Sequence, residues 1–126
     1  MKRWLVLTAT LTLLGCSTPK TPEELRDAAS PEVVSSLREY REIYATMERQ
    51  MRACYATNHE FRAALYPDHD RGAIAVSNEG AYLILIEIFK SPEGYGSQVT
   101  IHSQDETLGD RVHAWLQGDT GCGEQA

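Results

Sequence analysis

Apolar residues recur at helical spacing through the first half of the chain. Ser30 and Pro31 can cap and begin a helix, and the apolar positions that follow are spaced alternately four and three residues apart. Those positions are Val33, Leu37, Tyr40, Tyr44, Met47, Met51 and Cys54. Val34 and Ile43 widen the apolar stripe beyond the narrow seam of a coiled coil. The pattern therefore predicts one long helix from Pro31 to Cys54 that packs on the core of its own domain.

The apolar period changes after His59. Four short β-favourable runs, at 59–67, 72–77, 81–89 and 95–103, are separated by turn residues such as those at 78–80. Short connections of this kind join antiparallel strands. The third run is apolar on both faces, which is typical of a central strand covered by helix. These residues predict a four-stranded antiparallel sheet.

A second helix is predicted at the carboxyl end. Ser103-Gln104-Asp105-Glu106 has the spacing of a capping box, and Gly118 is suited to end the helix. Its inward residues would be Leu108, Val112, Trp115 and Leu116. The predicted fold is α+β, in the order α-β-β-β-β-α, with a long N-terminal helix and a C-terminal helix packed on one face of the sheet. This arrangement resembles the small helix-grip-like domains of several outer-membrane lipoproteins.

The amino terminus has the pattern of an export signal. Lys2 and Arg3 precede an uncharged run that is too short to span a bilayer, because a spanning helix needs about 20 apolar residues. Leu13-Leu14-Gly15-Cys16 resembles the lipobox of bacterial lipoproteins, although Leu14 stands where a smaller residue is usual. The resemblance implies that residues 1–15 are removed as a signal peptide and that the Cys16 thiol is lipidated. Ser17, in place of an aspartate, implies an outer-membrane protein that faces the periplasm.

The segment after Cys16 is polar and punctuated by prolines. We expect residues 16–31 to form the lipidated cysteine and a flexible tether with a mean reach of about 20 Å. Thr21-Pro22-Glu23-Glu24 could add one or two frayed helical turns. A single α+β domain would then span 32–122, and 123–126 would form a short tail.

Charge limits the partners of the mature chain. Removal of Lys2 and Arg3 leaves 10 basic residues against 18 acidic ones, so the formal charge falls from −6 to −8. Nucleic-acid binding requires clustered positive charge, and the sequence therefore predicts no nucleic-acid partner. Attachment to the membrane would depend on lipid and not on charge.

With Cys16 lipidated, Cys54 and Cys122 remain as an even pair in an oxidising compartment. A bridge between them would close a loop of about 69 residues, worth roughly 4 kcal/mol in the chain-entropy model. The alternative is two free thiols or a metal pair, but neither cysteine has a CxxC partner or a histidine at ligand spacing. We expect the disulfide.

Candidate chemistry is sparse. Asp68-His69-Asp70 offers three ligand types, but consecutive residues cannot all point at one ion, so we expect no metal and no cofactor. The motifs of common hydrolases and nucleotide-binding enzymes are absent from the sequence. Glu87 could be an acid with a raised pKa or a water-exposed carboxylate on an open sheet face, and we favour the second. His102 and His113 are expected in water, and the chain is predicted to be non-enzymatic.

A sheet with helices on one face leaves its other face open. The sequence predicts that Tyr82, Ile84 and Ile86 belong to the open face and bind a partner, because bare apolar area invites association. The predicted function is a membrane-anchored docking or accessory module for a cell-envelope protein. The alternative is a small-ligand-binding lipoprotein or hydrolase with a cleft between helix and sheet. The stretch from Gly109 to Cys122 is similar to the end of proteobacterial lipoprotein families of unknown function, which implies no activity.

Overall fold

The computed structural model describes residues 19–28 and 30–123, so the signal-peptide and Cys16 predictions lie outside the described residues. The predicted α+β class is confirmed. The elements in chain order are α1 (Pro22–Ala28), β1 (Glu32–Ser36), α2 (Tyr40–Tyr55), β2 (Glu60–Tyr66), a 3₁₀ turn (Pro67–His69), β3 (Arg71–Asn78), β4 (Ala81–Lys90), β5 (Ser97–Ser103) and α3 (Leu108–Leu116).

The five strands form one antiparallel sheet in the order β1-β5-β4-β3-β2. β4 is central, as the apolar character of both its faces predicts. Ile86 on β4 lies opposite Ile74 of β3 and Ile101 of β5, and these three isoleucines define the core face of the sheet. Strands β2 to β5 follow the predicted runs closely, and the predicted turn residues connect them.

The hydrophobic core lies between the core face and the two longer helices. α2 contributes Ile43, Met47 and Met51, and α3 contributes Val112 and Trp115, all fully buried. α2 approaches β3 closely, because a Cβ added at Gly72 would lie 2.5 Å from the Tyr44 ring. A glycine at this position therefore lets the helix pack directly on the strand.

The prediction of a helix from Pro31 to Cys54 is wrong over its first nine residues. Residues 32–36 form the edge strand β1, where Val34 pairs with Val99 of β5 and is 2% exposed. Val33 and Leu37, which belong to the predicted helical stripe, are 53% and 85% exposed. Two adjacent β-branched residues followed by two serines have low helix propensity, and β5 provides an edge for a strand to join. The sheet consequently has five strands and not four.

The predicted tether also differs from the structure. Residues 22–28 form α1, in which the Thr21 hydroxyl accepts a hydrogen bond from the Glu24 amide at 3.1 Å, as a capping residue does. Leu25 is buried, and α1 packs mainly on β4. Because α1 lies opposite the core face, the helices occupy both faces of the sheet and not one.

At the carboxyl end, α3 begins at Leu108, five residues after the predicted cap. The Asp105 carboxylate accepts hydrogen bonds from the Thr107 amide at 3.0 Å and the Thr107 hydroxyl at 2.7 Å, so the turn before the helix replaces the predicted first turn. The chain leaves the helix through Gly118, which has a φ of 101°. The predicted disulfide between Cys54 and Cys122 is present, with the two Cα atoms 5.4 Å apart.

Candidate functional site

The open surface of the sheet lies on the face opposite to the one that the sequence predicts. Ile84 and Ile86 are buried in the core beneath α2 and α3, and only Tyr82 of the predicted binding residues is partly accessible. The prediction that these isoleucines bind a partner is therefore wrong. Both faces of β4 are apolar, and the sequence pattern of this strand does not determine which face the long helix covers.

The face opposite the core, which we call the open face, carries Ala73, Ala75, Leu85 and Glu87. α1 covers only its middle strands. Between α1 and the edge strand β2 lies a groove of about 700 Å³, which we call the α1–β2 groove. Ala64, Ala73 and Ala75 form its floor together with Leu85, and these small side chains leave the space that larger residues would fill.

The α1–β2 groove is bordered mainly by arginines. Arg26, Arg52, Arg62 and Arg71 line it, and Glu23 is the only acidic lining residue in the part of the chain that the structure describes. Arg52 is paired with Glu48 at 2.8 Å, and the partner of Arg26 is Glu87. Arg62 and Arg71 have no ion-pair partner among residues 19–28 and 30–123. A chain of net charge −6 therefore presents two uncompensated positive charges at this groove.

The strand β2, which borders the groove, is an edge strand of the sheet. β2 pairs only with β3, so every second residue of β2 directs its backbone N–H and C=O groups away from the sheet. Arg62 and Tyr66 project from β2 toward the open face, and Arg71 lies directly opposite Tyr66, with its guanidinium 5.1 Å from the Tyr66 ring centre. The edge can thus offer main-chain hydrogen bonds beside the positively charged side chains of Arg62 and Arg71.

A partly buried ionic cluster fixes α1 beside the groove. Arg26 donates to both carboxylate oxygens of Glu87, at 3.0 and 3.2 Å, and His102 Nε2 lies 3.5 Å from the same carboxylate. The hydrogen bond to Glu87 raises the pKa of Arg26. Glu87 and His102 are both buried, so the expectation that they face water is wrong. The helix α1, within the predicted tether, covers them. A carboxylate that is neutralised by a bidentate arginine serves structure better than acid–base chemistry.

The remaining histidines form no shared site. His59 Nδ1 lies 3.2 Å from the Tyr55 carbonyl oxygen, whereas His69 and His113 are exposed. Within the described part of the chain, no group of three or more histidine, cysteine, aspartate or glutamate side chains could hold a metal ion.

Both ends of the sheet carry a surface depression lined by apolar side chains. At the end where β4 begins, Pro19, Tyr55, Tyr82 and Leu83 line a shallow depression of about 240 Å³. At the opposite end, Tyr95 is 66% exposed beside the exposed Leu37, and both line another open depression. Each end therefore carries apolar side chains that contact water.

The sequence contains a signal for the groove that its apolar pattern does not reveal. Alanines at 64, 73 and 75 occupy strand positions where bulky β-branched residues are usual, and Arg62 and Arg71 lie at the same strand faces. Recognising this signal requires the register of β2 against β3, which places the five residues side by side.

No protein-family model, no curated protein and no solved structure matches this chain. None of the helices within residues 19–28 and 30–123 is long and apolar enough to cross a membrane.

Proposed function

We propose that the protein is a non-enzymatic, lipid-anchored docking module of the bacterial outer membrane. It faces the periplasm and binds an acidic, extended segment of an envelope protein in the α1–β2 groove. The observation that carries the proposal is the groove itself, where an open strand edge adjoins two arginines without ion-pair partners on an acidic chain. Lipid attachment at Cys16 is supported by the lipobox resemblance of residues 13–16.

The groove suits an extended peptide for two physical reasons. An added strand gains main-chain hydrogen bonds from the β2 edge, and its side chains on the open-face side lie next to Arg62, Ala64 and Tyr66 of β2. Arg62 and the position opposite Arg71 are four residues apart along β2, which corresponds to about 13 Å in an extended strand. A partner strand with carboxylates four residues apart would therefore place both of them beside arginines.

Binding of defined peptides tests this proposal. We expect an extended peptide with glutamates at positions i and i+4 to bind the purified protein, and the affinity to fall as salt rises. Arg62→Glu with Arg71→Glu should weaken binding at least about tenfold, because two attractions become repulsions. Arg49→Glu is the matched control, since Arg49 is exposed on α2 and does not line the groove. Isothermal titration calorimetry measures the peptide affinity of the wild type, the double variant and Arg49→Glu.

Two results would contradict the proposal. One is equal affinity for a peptide with lysines in place of the two glutamates, and the other is equal affinity of the double variant and Arg49→Glu.

In cells, a photo-crosslinking residue at Ala64 should capture an envelope protein from native membranes, whereas the same residue at Arg49 should not. Cys16→Ser should remove the lipid mass and release the protein from membranes.

The volume of the groove also supports a second candidate function, the binding of a small anionic ligand. Small-molecule sites usually occupy about 300–1,000 Å³, and the α1–β2 groove falls within this range. Competition separates the two candidates. A small dicarboxylate that displaces the acidic peptide at equal molar concentration would favour the ligand-binding function over docking.

A further inference from the structure

The described chain begins at a residue that is fixed to the sheet. Pro19 is buried, and its carbonyl oxygen accepts a hydrogen bond from the Tyr82 amide at 2.8 Å. α1 follows three residues later and is held by Leu25 and by the Arg26–Glu87 pair. The chain therefore enters the domain at the end of the sheet where β4 begins, which we call the near end.

Little chain separates this point from the proposed lipid. Three residues lead from Cys16 to Pro19, and three residues span at most about 11 Å even when fully extended. The flexible tether expected from the sequence would reach about twice as far. We propose that the lipidated domain stands directly on the bilayer, with its near end against the lipid. This inference rests on the lipid attachment that forms part of the proposed function.

The near end has the chemistry of a lipid-contacting surface. Tyr82 and Leu83 lie beside Pro19, and Leu83 is 37% exposed on a strand whose other leucine is buried. Tyrosine is favoured at the level of lipid headgroups because its ring is apolar and its hydroxyl is polar. Among the described residues, the depression is lined by no basic side chain and by one acidic one, Asp105, so the surface fits a zwitterionic lipid better than an anionic one.

This placement sets the direction of the strands relative to the membrane. β4 advances eight residues from Tyr82 to Lys90, or about 27 Å. The Lys90 amide donates to the Asp70 carbonyl oxygen at 3.0 Å, so the 3₁₀ turn with His69 lies at the far end. The groove follows the strands, with Pro22 and Tyr82 close to the bilayer and Arg71 remote from it. It opens sideways into the periplasm, where an extended partner segment can enter.

Depth-dependent fluorescence quenching tests the orientation. The full lipidated protein, with its disulfide intact, is reconstituted in phosphatidylcholine vesicles that contain headgroup-nitroxide lipid. Gln104→Cys at the near end and His69→Cys at the far end each carry a bimane label, since both positions are exposed. We expect about threefold stronger quenching at Gln104→Cys, because the distances of the two labels from the bilayer differ by about the length of β4. An insertion of twelve Gly and Ser residues after Ser17 should abolish the difference.

Each of the other possible outcomes contradicts a specific part of this inference. Equal quenching of the two labels on acylated protein would overturn the orientation and leave lipid anchoring intact. A persistent difference in the insertion variant would overturn the role of the short connection. Intact mass without acyl groups would overturn the lipid anchoring itself, and this inference with it, while the peptide-binding test of the groove would be unaffected.

Discussion

At the residue scale, Glu87 shows how a distant partner changes the role of a side chain. A carboxylate on a central strand is costly to bury unless a cation and hydrogen bonds compensate it. Arg26 supplies both, but the two residues are 61 positions apart in the sequence. No local pattern connects them, so the sequence alone favours a water-exposed Glu87 on an open sheet face. The two residues pair because α1 packs on β4.

Removal of Arg26 should therefore destabilise the fold. Arg26→Met leaves the Glu87 carboxylate buried with His102 as its remaining neighbour, and we expect a loss of about 2–3 kcal/mol in the free energy of unfolding. Arg26→Met combined with Glu87→Leu should recover most of that loss, because no unpaired charge remains. Urea denaturation measures both.

The matched control is Glu23→Gln. Glu23 also contacts Arg26, at 3.7 Å, but its side chain is 75% exposed, so its removal should change stability by less than about 0.5 kcal/mol. A loss for Arg26→Met no larger than for Glu23→Gln would show that the pair with Glu87 contributes nothing measurable.

At the element scale, the sequence predicts elements that local contacts form better than elements that depend on residues far apart in the chain. β2 to β5 were predicted because alternating side chains and turn residues are local signals. β1 was missed because its partner lies far along the chain, with Val34 opposite Val99, and because Val33 and Leu37 happen to fit the helical spacing of α2. The sequence signal for α1 is weak for a related reason. A helix of seven residues with one buried leucine is unstable alone and depends on packing against the sheet.

A pair of adjacent substitutions distinguishes the strand from the predicted helix. Val34→Ala should lower the free energy of unfolding by about 2 kcal/mol, because the side chain is enclosed by the core. Val33→Ala should cost less than about 0.5 kcal/mol, because Val33 is half exposed. Thermal and urea unfolding of the two variants provide the comparison. Equal losses, or a larger loss at Val33, would favour the helical stripe over β1.

At the scale of the whole molecule, the sequence correctly predicts that part of the sheet is left open but assigns the wrong face. Ile101 points into the core, and the register of β5 against β4 shows that Ile86 shares its side of the sheet. The same limit hides the candidate site. Arg62 and Ala75 become neighbours through the pairing of β2 with β3, and Arg26 joins them from the other end of the chain through α1. Sites assembled from several elements depend on register, which a single sequence determines weakly.

The disulfide acts on the molecule as a whole, because it joins the last turn of α2 to the tail that follows α3. The tail is also held by Trp115, which donates to the Gly121 carbonyl oxygen at 2.7 Å, and by Arg111, which donates to the Cys122 carbonyl oxygen at 2.9 Å. Loss of the bridge leaves these hydrogen bonds possible but frees a loop of 68 residues in the unfolded chain. The chain-entropy model therefore predicts a loss of roughly 4 kcal/mol.

We expect the double variant Cys54→Ala with Cys122→Ala to fold but to melt about 10–30 °C below the wild type. Reduced wild type should melt at nearly the same temperature as the double variant, because both lack the same constraint on the unfolded chain. Differential scanning calorimetry measures the three melting temperatures, and non-reducing peptide mapping verifies the pairing in the native protein. If the double variant melts within about 3 °C of the oxidised wild type, the packing of α2, α3 and the tail holds the molecule together without the covalent link.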